Sequence, residues 1–375
     1  MKITYFSKTS ELGPSSRYRI YQYLPYLEAK GMSVTIRPLF GSFYFRLLLW
    51  PSSPLRWIVL SLYVAMRFAK RALDVAGSGG SDLIVVEGQL FPYAPPLFER
   101  GLAHFHKIAI EFDDAIYLTK GHGRKMPVLL RLSAATIVGN QTLGAYAASY
   151  SSNVHVVPTV VDTDRFRPPT QRGERTKDGV HRSITIAWIG LAYNASYLEW
   201  LAPVFRRLQK EFLLKVMVIS SRPPVLEGVS VSFKPWNYAT EVEDLQACDI
   251  GVMPLPDSEW ALGKCGLKLL QYMALGLPAV ASPIGVNREI IEDGVNGLLA
   301  TTEEDWHRQL ARLCRDSTLR EQIGHAGRAT VEARYSLKQW GPKLAERYRA
   351  ISNGTDQNLF RASVVQSEVP ERSGA

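Results

Sequence analysis

The segment WALGKCGLKLLQYMALGLPAVASPIGVNREIIEDGVNGLLA, residues 260–300, is the part of the chain that decides the fold. Leu267, Leu270 and Ala274 have the i, i+3, i+7 spacing of a helix and predict an apolar stripe facing a core. Polar residues recur on the opposite face, at Lys264, Lys268 and Gln271. The helix is therefore expected to bury one side and to present the other to a ligand.

Two glycine turns follow this helix. Gly276 is expected to end it in the left-handed conformation, and Pro278 prevents its continuation. Residues 279–282 predict a short buried strand, after which residues 283–287 turn into a second helix. Backbone N–H groups at a helix start hold anions. The sequence therefore predicts an anion site at Gly285, Val286 and Asn287.

The segment resembles the donor-site sequence of the retaining nucleotide-sugar glycosyltransferases of family 4, also called glycosyl transferases group 1. The residues in register with that pattern are Gly266, Leu267, Met273, Ala274, Gly276, Pro278, Ala281, Ser282, Gly285, Glu289, Asp293, Gly294, Asn296 and Gly297. Two family glutamates differ here: the one that usually touches the donor sugar falls on Gly263, and the one that usually binds the donor ribose is Gln271. A glutamine amide still hydrogen-bonds a ribose hydroxyl.

The resemblance implies an α/β protein of the GT-B type, in which two Rossmann-like, doubly wound domains face a cleft. It implies a retaining hexosyltransferase that moves a sugar from a nucleotide-diphosphate-sugar to a carbohydrate or lipid-linked acceptor, in bacterial surface-polysaccharide or glycolipid assembly. It implies no cofactor and no metal. Two alternatives stay open: a nucleotide-sugar epimerase or hydrolase on the same fold, and a catalytically inactive nucleotide-sugar-binding scaffold.

Strand and helix patterns alternate along the chain, which is typical of doubly wound parallel sheets. The expected organisation is an acceptor-side domain, a Pro- and Gly-rich linker, a donor domain, a helix packing back on the first domain and a disordered tail. Their bounds are 1–165, 166–182, 183–335, 336–352 and 353–375.

Composition indicates a globular protein of 375 residues, with 46% apolar and 21% charged residues. Three scattered cysteines favour a reducing compartment over a disulfide framework. The first residues, MKITYF, are expected to form a strand and not a signal peptide, and the apolar run 57–66 is too short to span a bilayer. We therefore expect a cytoplasmic protein.

Positive charge is concentrated in the first half of the chain. Residues 1–182 hold 23 Lys/Arg and 13 Asp/Glu, whereas residues 183–375 hold 21 and 22. Residues 40–71 interleave aromatic and aliphatic side chains with five basic ones, which is typical of a helix lying on an anionic membrane surface. A core helix with an ordinary solvated basic face is the equal alternative. No nucleic-acid-binding motif is present, so a nucleic-acid partner is not expected.

Two loops of the first domain are candidates for the acceptor side of the site. Gly13, Arg17 and Arg19 follow the first strand and open a helix, where they are expected to contact a phosphate or the acceptor; a plain turn is the alternative. Asp113 follows another strand, and the resemblance brings its loop near the reacting sugar, where it would orient the acceptor hydroxyl or receive its proton. A turn carboxylate that caps the next helix or binds an arginine is the equal alternative. Adjacent carboxylates point to opposite sides of an extended chain, so only one of Asp113 and Asp114 is expected to face the substrate.

The remaining candidates belong to the donor side. The loop at Gly190 and Asn194 lacks the Arg and Lys that the family usually places on the donor phosphates, so Lys264 and Lys268 are expected to supply the charge, with Lys264 acting in catalysis. Trp236 is expected to stack on the base or to be structural. No spacing of His, Cys and carboxylate residues indicates a metal site.

Overall fold

The computed structural model describes residues 1–169 and 183–355. In these residues the chain forms two α/β units, each built on a parallel sheet of six strands. The expected linker lies outside the described residues from residue 170 to 182, and the expected tail does so from residue 356 onward.

The first sheet has the strand order β2-β1-β3-β4-β5-β6. Its strands are β1 (Lys2–Phe6), β2 (Ser33–Ile36), β3 (Leu83–Glu87), β4 (Ile108–Phe112), β5 (Ala135–Val138) and β6 (Val154–Val156). The helices of this unit are α1 (Pro14–Arg19), α2 (Leu24–Ala29), α3 (Ser42–Leu49), α4 (Pro54–Ala76), α5 (Leu97–Phe105), α6 (Met126–Leu132) and α7 (Gln141–Ala148), with 3-10 turns at Tyr21–Tyr23 and Ile116–Leu118. Every residue of β3 and β4 is buried, because helices cover both faces of the sheet.

The second sheet has the order β12-β11-β10-β7-β8-β9. Its strands are β7 (Ile184–Ile189), β8 (Leu214–Ser220), β9 (Val231–Pro235), β10 (Ile250–Met253), β11 (Ala279–Ala281) and β12 (Leu298–Leu299). Its helices are α8 (Ser196–Glu199), α9 (Ala202–Glu211), α10 (Glu241–Gln246), α11 (Glu259–Leu262), α12 (Leu267–Ala274), α13 (Asn287–Ile290), α14 (Glu303–Arg315) and α15 (Ser317–Arg334), with a 3-10 turn at Ala192–Asn194. The expectation of two doubly wound parallel α/β units is confirmed.

A last helix, α16 (Leu337–Asn353), returns to the first unit. Leu344, Tyr348 and Ile351 are buried in the same core as Ile3 and Tyr5 of β1. The chain therefore passes between the two units twice.

The structure differs locally from the sequence expectations. The helix expected to open after Gly13 is short: it ends at Arg19 and is followed by the 3-10 turn before Pro25, whose missing N–H suits only the start of a helix. Phe166, expected to begin the linker, is buried in the core of the second unit. No helix in the described residues is both long enough and apolar enough to cross a membrane.

Candidate functional site

A cavity of about 200 Å³ lies between the two units. The loops that follow β1 and β4 form one wall, and the loops that follow β7 and β9, together with α12, form the other. Strand ends of parallel sheets converge on this cleft, which is where open α/β folds bind ligands. Of the expected site residues, the structure brings Arg17, Asp113, Gly190, Asn194, Trp236, Lys264, Lys268 and Gln271 to the cavity wall.

The N-terminus of α12 opens onto this cavity. Gly266 and Leu267 lie in the cavity wall, and no side chain caps the helix. Gly266 has a φ of 72°, and a Cβ there would lie 2.4 Å from Ile290 Cδ1, so both backbone and packing require glycine. The unpartnered N–H groups of a first helical turn attract anions. The start of α12 therefore offers uncapped backbone N–H groups to an anionic part of a ligand.

Gly285, Val286 and Asn287, where an anion site was expected, do not line the cavity; α13 packs instead against Gly266 at the start of α12. A Cβ at Gly266 would lie 3.3 Å from Val286 Cγ1, so Val286 supports the cavity wall from the rear. Asn287 donates a hydrogen bond from Nδ2 to the Ser282 carbonyl at 3.0 Å. Sequence spacing identified two helix starts but could not tell which of them faces the cleft.

A salt bridge joins the two units across the cavity. Lys264 Nζ lies 2.9 Å from Asp114 Oδ1. Burial lowers the pKa of Lys264, but the charge and hydrogen bond of Asp114, with Tyr193 and Asp113, outweigh this and hold the pKa above its ordinary value. Lys264 is therefore cationic at neutral pH.

Both adjacent aspartates line the cavity, contrary to the expectation that only one of them would do so. The strand ends at Phe112 and the backbone bends at Asp113 and Asp114, so the alternation of an extended chain no longer applies. Burial raises the pKa of Asp113 to about 7, with further contributions from the charges of Asp114 and Glu111. Asp113 can therefore accept or release a proton near neutral pH.

Lys268 is a second cation in the wall; it lies on α12, whereas Lys264, expected on the same helix face, lies in the non-helical segment before it. Burial lowers its pKa to about 8, and the charge of Lys264 adds to the effect. Its ammonium lies 5.0 Å from the Trp188 ring centroid. No carboxylate in the described residues forms a salt bridge with Lys268, so its charge is available to an anionic ligand.

Glycine at position 190 makes room for this lysine. A Cβ at Gly190 would lie 2.8 Å from Lys268 Cε and 2.8 Å from Trp188. Asn194, in the 3-10 turn that follows, is buried beside the same cavity. Its loop therefore contributes polar and backbone groups but no charge, as the sequence predicted.

Gln271 connects to a residue that sequence reasoning missed. Its Nε2 donates a hydrogen bond to Tyr18 Oη at 3.0 Å, and both side chains are buried in the cavity wall. Tyr18 belongs to α1, 253 positions away in the sequence. No local signal could have paired them, since the contact depends on how the two units face each other.

Arg17 and Trp236 form a stack at the other end of the cavity. The Arg17 guanidinium lies 4.8 Å from the Trp236 ring centroid and 5.2 Å from that of Tyr238. Trp236 Nε1 donates a hydrogen bond to Glu241 Oε2 at 2.7 Å, which fixes the ring. The indole is therefore held in place beside the cavity.

Two residues of the first loop do not reach the cavity. Gly13 is the N-cap of α1, and a Cβ there would lie 1.9 Å from Thr9 Oγ1, so glycine is required by packing. Arg19 is buried, pairs with Glu111 and donates from Nη1 to the Val157 carbonyl at 2.8 Å. Its charge is thus satisfied inside the first unit.

Acidic, histidine and cysteine side chains do not cluster as metal ligands: the residues described contain no group of three or more that could hold an ion.

One region of the chain matches a known protein family in sequence. Residues 183–316 match the profile of the family described as Glycosyl transferases group 1. No curated protein matches the chain in sequence.

Solved structures match nearly the whole chain in three dimensions. Anabaena HepE in complex with UDP and glucose is 15% identical with a TM-score of 0.65, covering 93% of this chain and 100% of that one. A glycosyltransferase from Rickettsia africae is 13% identical with a TM-score of 0.67, covering 93% and 98%. The lipopolysaccharide outer core galactosyltransferase WaaB is 13% identical with a TM-score of 0.59, covering 95% and 100%. These likenesses establish the fold.

Proposed function

We propose that this chain, which has the GT-B fold and matches the glycosyl transferases group 1 profile at residues 183–316, is a retaining glycosyltransferase of the hexosyltransferase type. It moves a sugar from a nucleotide-diphosphate-sugar to an acceptor hydroxyl. The observation that carries the proposal is the interdomain cavity, in which the open N-terminus of α12 and Lys268 face Asp113 across the cleft.

Donor binding follows from the chemistry of the α12 wall. The diphosphate accepts hydrogen bonds from the N–H groups of Gly266 and Leu267 and forms an ion pair with Lys268. These groups offset its negative charge without a metal ion. Gln271, which is hydrogen-bonded to Tyr18, binds a ribose hydroxyl. The Trp236 ring, which is fixed by Glu241, stacks on the base. HepE, a structural match, has been solved with UDP-glucose, which makes UDP-sugars the first donors to test.

Transfer depends on positioning and on stabilising the leaving group. Lys264 and the α12 N-terminus stabilise the departing diphosphate, whose charge increases as the glycosidic bond breaks. Asp113 lies on the opposite wall and receives the acceptor proton, a role that suits a pKa of about 7.

Acceptor and pathway follow from the family resemblance and the surface of the first unit. We propose a carbohydrate or lipid-linked acceptor in surface-polysaccharide or glycolipid assembly. The protein would act in the cytoplasm, peripherally at the inner membrane face, since its first half is basic and exposes apolar side chains.

Thermal shift tests donor binding. The purified protein is screened without metal against UDP, GDP, CDP, ADP and their common sugar conjugates, alongside Gln271→Ala. A ligand at 100 times its dissociation constant adds about 2.7 kcal/mol of stability. We expect one nucleotide series to raise the melting temperature of the wild type and to have a much smaller effect on the variant. Absence of a shift with every nucleotide would contradict the proposal.

A binding scaffold without activity is the second candidate, favoured by Gly263. No side chain fits at this position, because a Cβ there would lie 2.7 Å from Ala115 Cβ. The position of the family glutamate is therefore filled by Ala115. The neighbouring carboxylate, Asp114, does not replace that glutamate, because it pairs with Lys264. Donor binding without sugar release or transfer, in the presence of lipid and carbohydrate fractions, would support the scaffold. Sugar release or conversion without acceptor would indicate the hydrolase or epimerase alternative.

A further inference from the structure

The longest helix of the first unit exposes an apolar stripe. Positions along α4 with helical spacing carry large apolar side chains that are more than half exposed: Leu55, Ile58, Leu62, Met66 and Leu73. Ala65 and Ala69 are exposed between them. The stripe therefore runs along most of the helix.

The opposite side of α4 is apolar as well, and it faces the protein. Tyr63 is buried, and Val59, Val64 and Phe68 pack against the cores around it. A surface helix of a water-soluble protein has a polar outer side, whereas a helix that is apolar all round is stable only when its second side is also covered. The outer stripe of α4 thus has the composition of a surface that contacts an apolar medium.

Helix α3, the turn after it and the start of α4 extend this surface with three aromatic residues and a leucine. Phe43, Leu49, Trp50 and Trp57 are all exposed. Tryptophan is the side chain most typical of the headgroup level of a bilayer, where its ring is apolar and its N–H meets water. The surface therefore has a wide apolar area with indoles at its α3 end.

Basic side chains give this surface its charge. Of the basic residues in α3 and α4, Arg71 is buried and Lys70 pairs with Asp74, so the surface charge comes from Arg46 and Arg56. The Arg46 guanidinium lies 5.5 Å from the Phe43 ring centroid, and that of Arg56 lies 5.2 Å from the Trp57 ring centroid. In the described residues neither arginine pairs with a carboxylate. Both charges therefore stand beside exposed aromatic rings, ready for an anionic headgroup.

The surface lies close to the mouth of the cavity. Arg222, in the loop after β8, donates a hydrogen bond from Nη2 to the Leu48 carbonyl at the end of α3, at 2.8 Å. Ser221, the preceding residue, lines the cavity. An amphiphile held at α3 would thus have its polar end near the cleft.

We propose that α3 and α4 dock on the surface of a bilayer rich in anionic lipid. The apolar stripe and the exposed indoles enter the headgroup region, and Arg46 and Arg56 bind anionic headgroups. Docking rests on this surface alone; its use, the presentation of a lipid-linked acceptor to the cavity, rests on the proposed function.

Vesicle flotation tests the docking. The full chain is mixed with phosphatidylcholine vesicles or with vesicles containing 30% phosphatidylglycerol by design. We expect the wild type to float with the anionic vesicles. The Leu62→Glu variant should bind them at least tenfold more weakly, since a carboxylate replaces an apolar side chain in the membrane-facing stripe. Arg56→Gln should weaken binding about fivefold.

A matched control comes from the other unit. Leu213 is 68% exposed and Leu62 is 67% exposed, so Leu213→Glu introduces the same change at an equally accessible site. It should bind vesicles like the wild type. Wild type that fails to float, or Leu62→Glu that floats as well as Leu213→Glu, would overturn the proposal.

A second copy of the chain is the alternative occupant. If the wild type is a dimer by light scattering and Leu62→Glu is a monomer, the stripe is a subunit interface and the proposal is refuted. Nucleotide thermal shifts are recorded on the same variants. If nucleotides still raise the melting temperature of Leu62→Glu, its donor site is intact. Loss of vesicle binding in that variant then tests the docking proposal separately from the proposed function.

Discussion

Lys268 should make donor binding depend on pH. Its pKa is lowered to about 8, so the ammonium that meets the diphosphate loses its proton as pH rises through that value. We expect nucleoside-diphosphate affinity, measured by calorimetry, to fall between pH 7 and pH 9 in the wild type. In Lys268→Arg, which stays charged, the fall should disappear, and Lys268→Ala should bind about 10 to 100 times more weakly at pH 7. An identical pH profile in wild type and Lys268→Arg would assign the titration to another group.

Asp113 should make the stability of the fold depend on pH. Its folded pKa of about 7 lies above the usual 3.8, so ionisation disfavours the folded state as pH rises from about 4 to 7. Asp113→Asn has no such ionisation. The variant should therefore gain stability relative to the wild type as pH rises from about 4 to 7. Urea unfolding at pH 5 and pH 8 measures this, and an equal difference at both pH values would contradict it.

At the scale of the element, the turn into α12 should tolerate substitution poorly. Gly266→Ala introduces a side chain at a φ of 72° and a contact of 2.4 Å with Ile290, and should cost about 3 kcal/mol. Gly294→Ala is the control, because φ there is 80° but nothing lies within 4 Å of the new Cβ; about 1 kcal/mol is expected. Equal losses of urea stability in the two variants would show that packing behind α12 is unimportant.

The same element shows what sequence can predict. Helical periodicity correctly placed Lys268 and Gln271 on one helix, because a local pattern determines it, but Lys264 precedes α12, which begins at Leu267. The family pattern covers this segment too, and the two sheets follow from alternating strands and helices. Which helix end faces the cavity depends on tertiary packing: Gly266 lines it, whereas residues 285–287 do not.

At the scale of the whole molecule, contacts between the units should control closure of the cleft. Asn140 Nδ2 donates to the Lys264 and Leu262 carbonyls at 3.0 and 3.3 Å, while its Oδ1 caps α7 through the Leu143 N–H. Asn140→Asp keeps the cap and removes both bridging donors. We expect a larger radius of gyration by X-ray scattering than in the wild type, with an unchanged melting temperature of the first unit. Scattering identical to that of the wild type would mean that other contacts suffice.

Long-range pairs of this kind were beyond the sequence analysis. Tyr18 with Gln271 and Asp114 with Lys264 join residues more than 100 positions apart. Their partners are set by the orientation of two separately folded sheets, which no periodicity records. The backbone bend that turns both Asp113 and Asp114 inward is likewise a tertiary result.

The return of α16 to the first sheet sets an order of events during synthesis. The ribosome releases β1 early, but Leu344, Tyr348 and Ile351, which cover Ile3 and Tyr5, emerge only after the whole second unit has been made. The nascent first unit must therefore wait with part of its core open to water, where chaperones have access to it. The unit that is translated first is completed last.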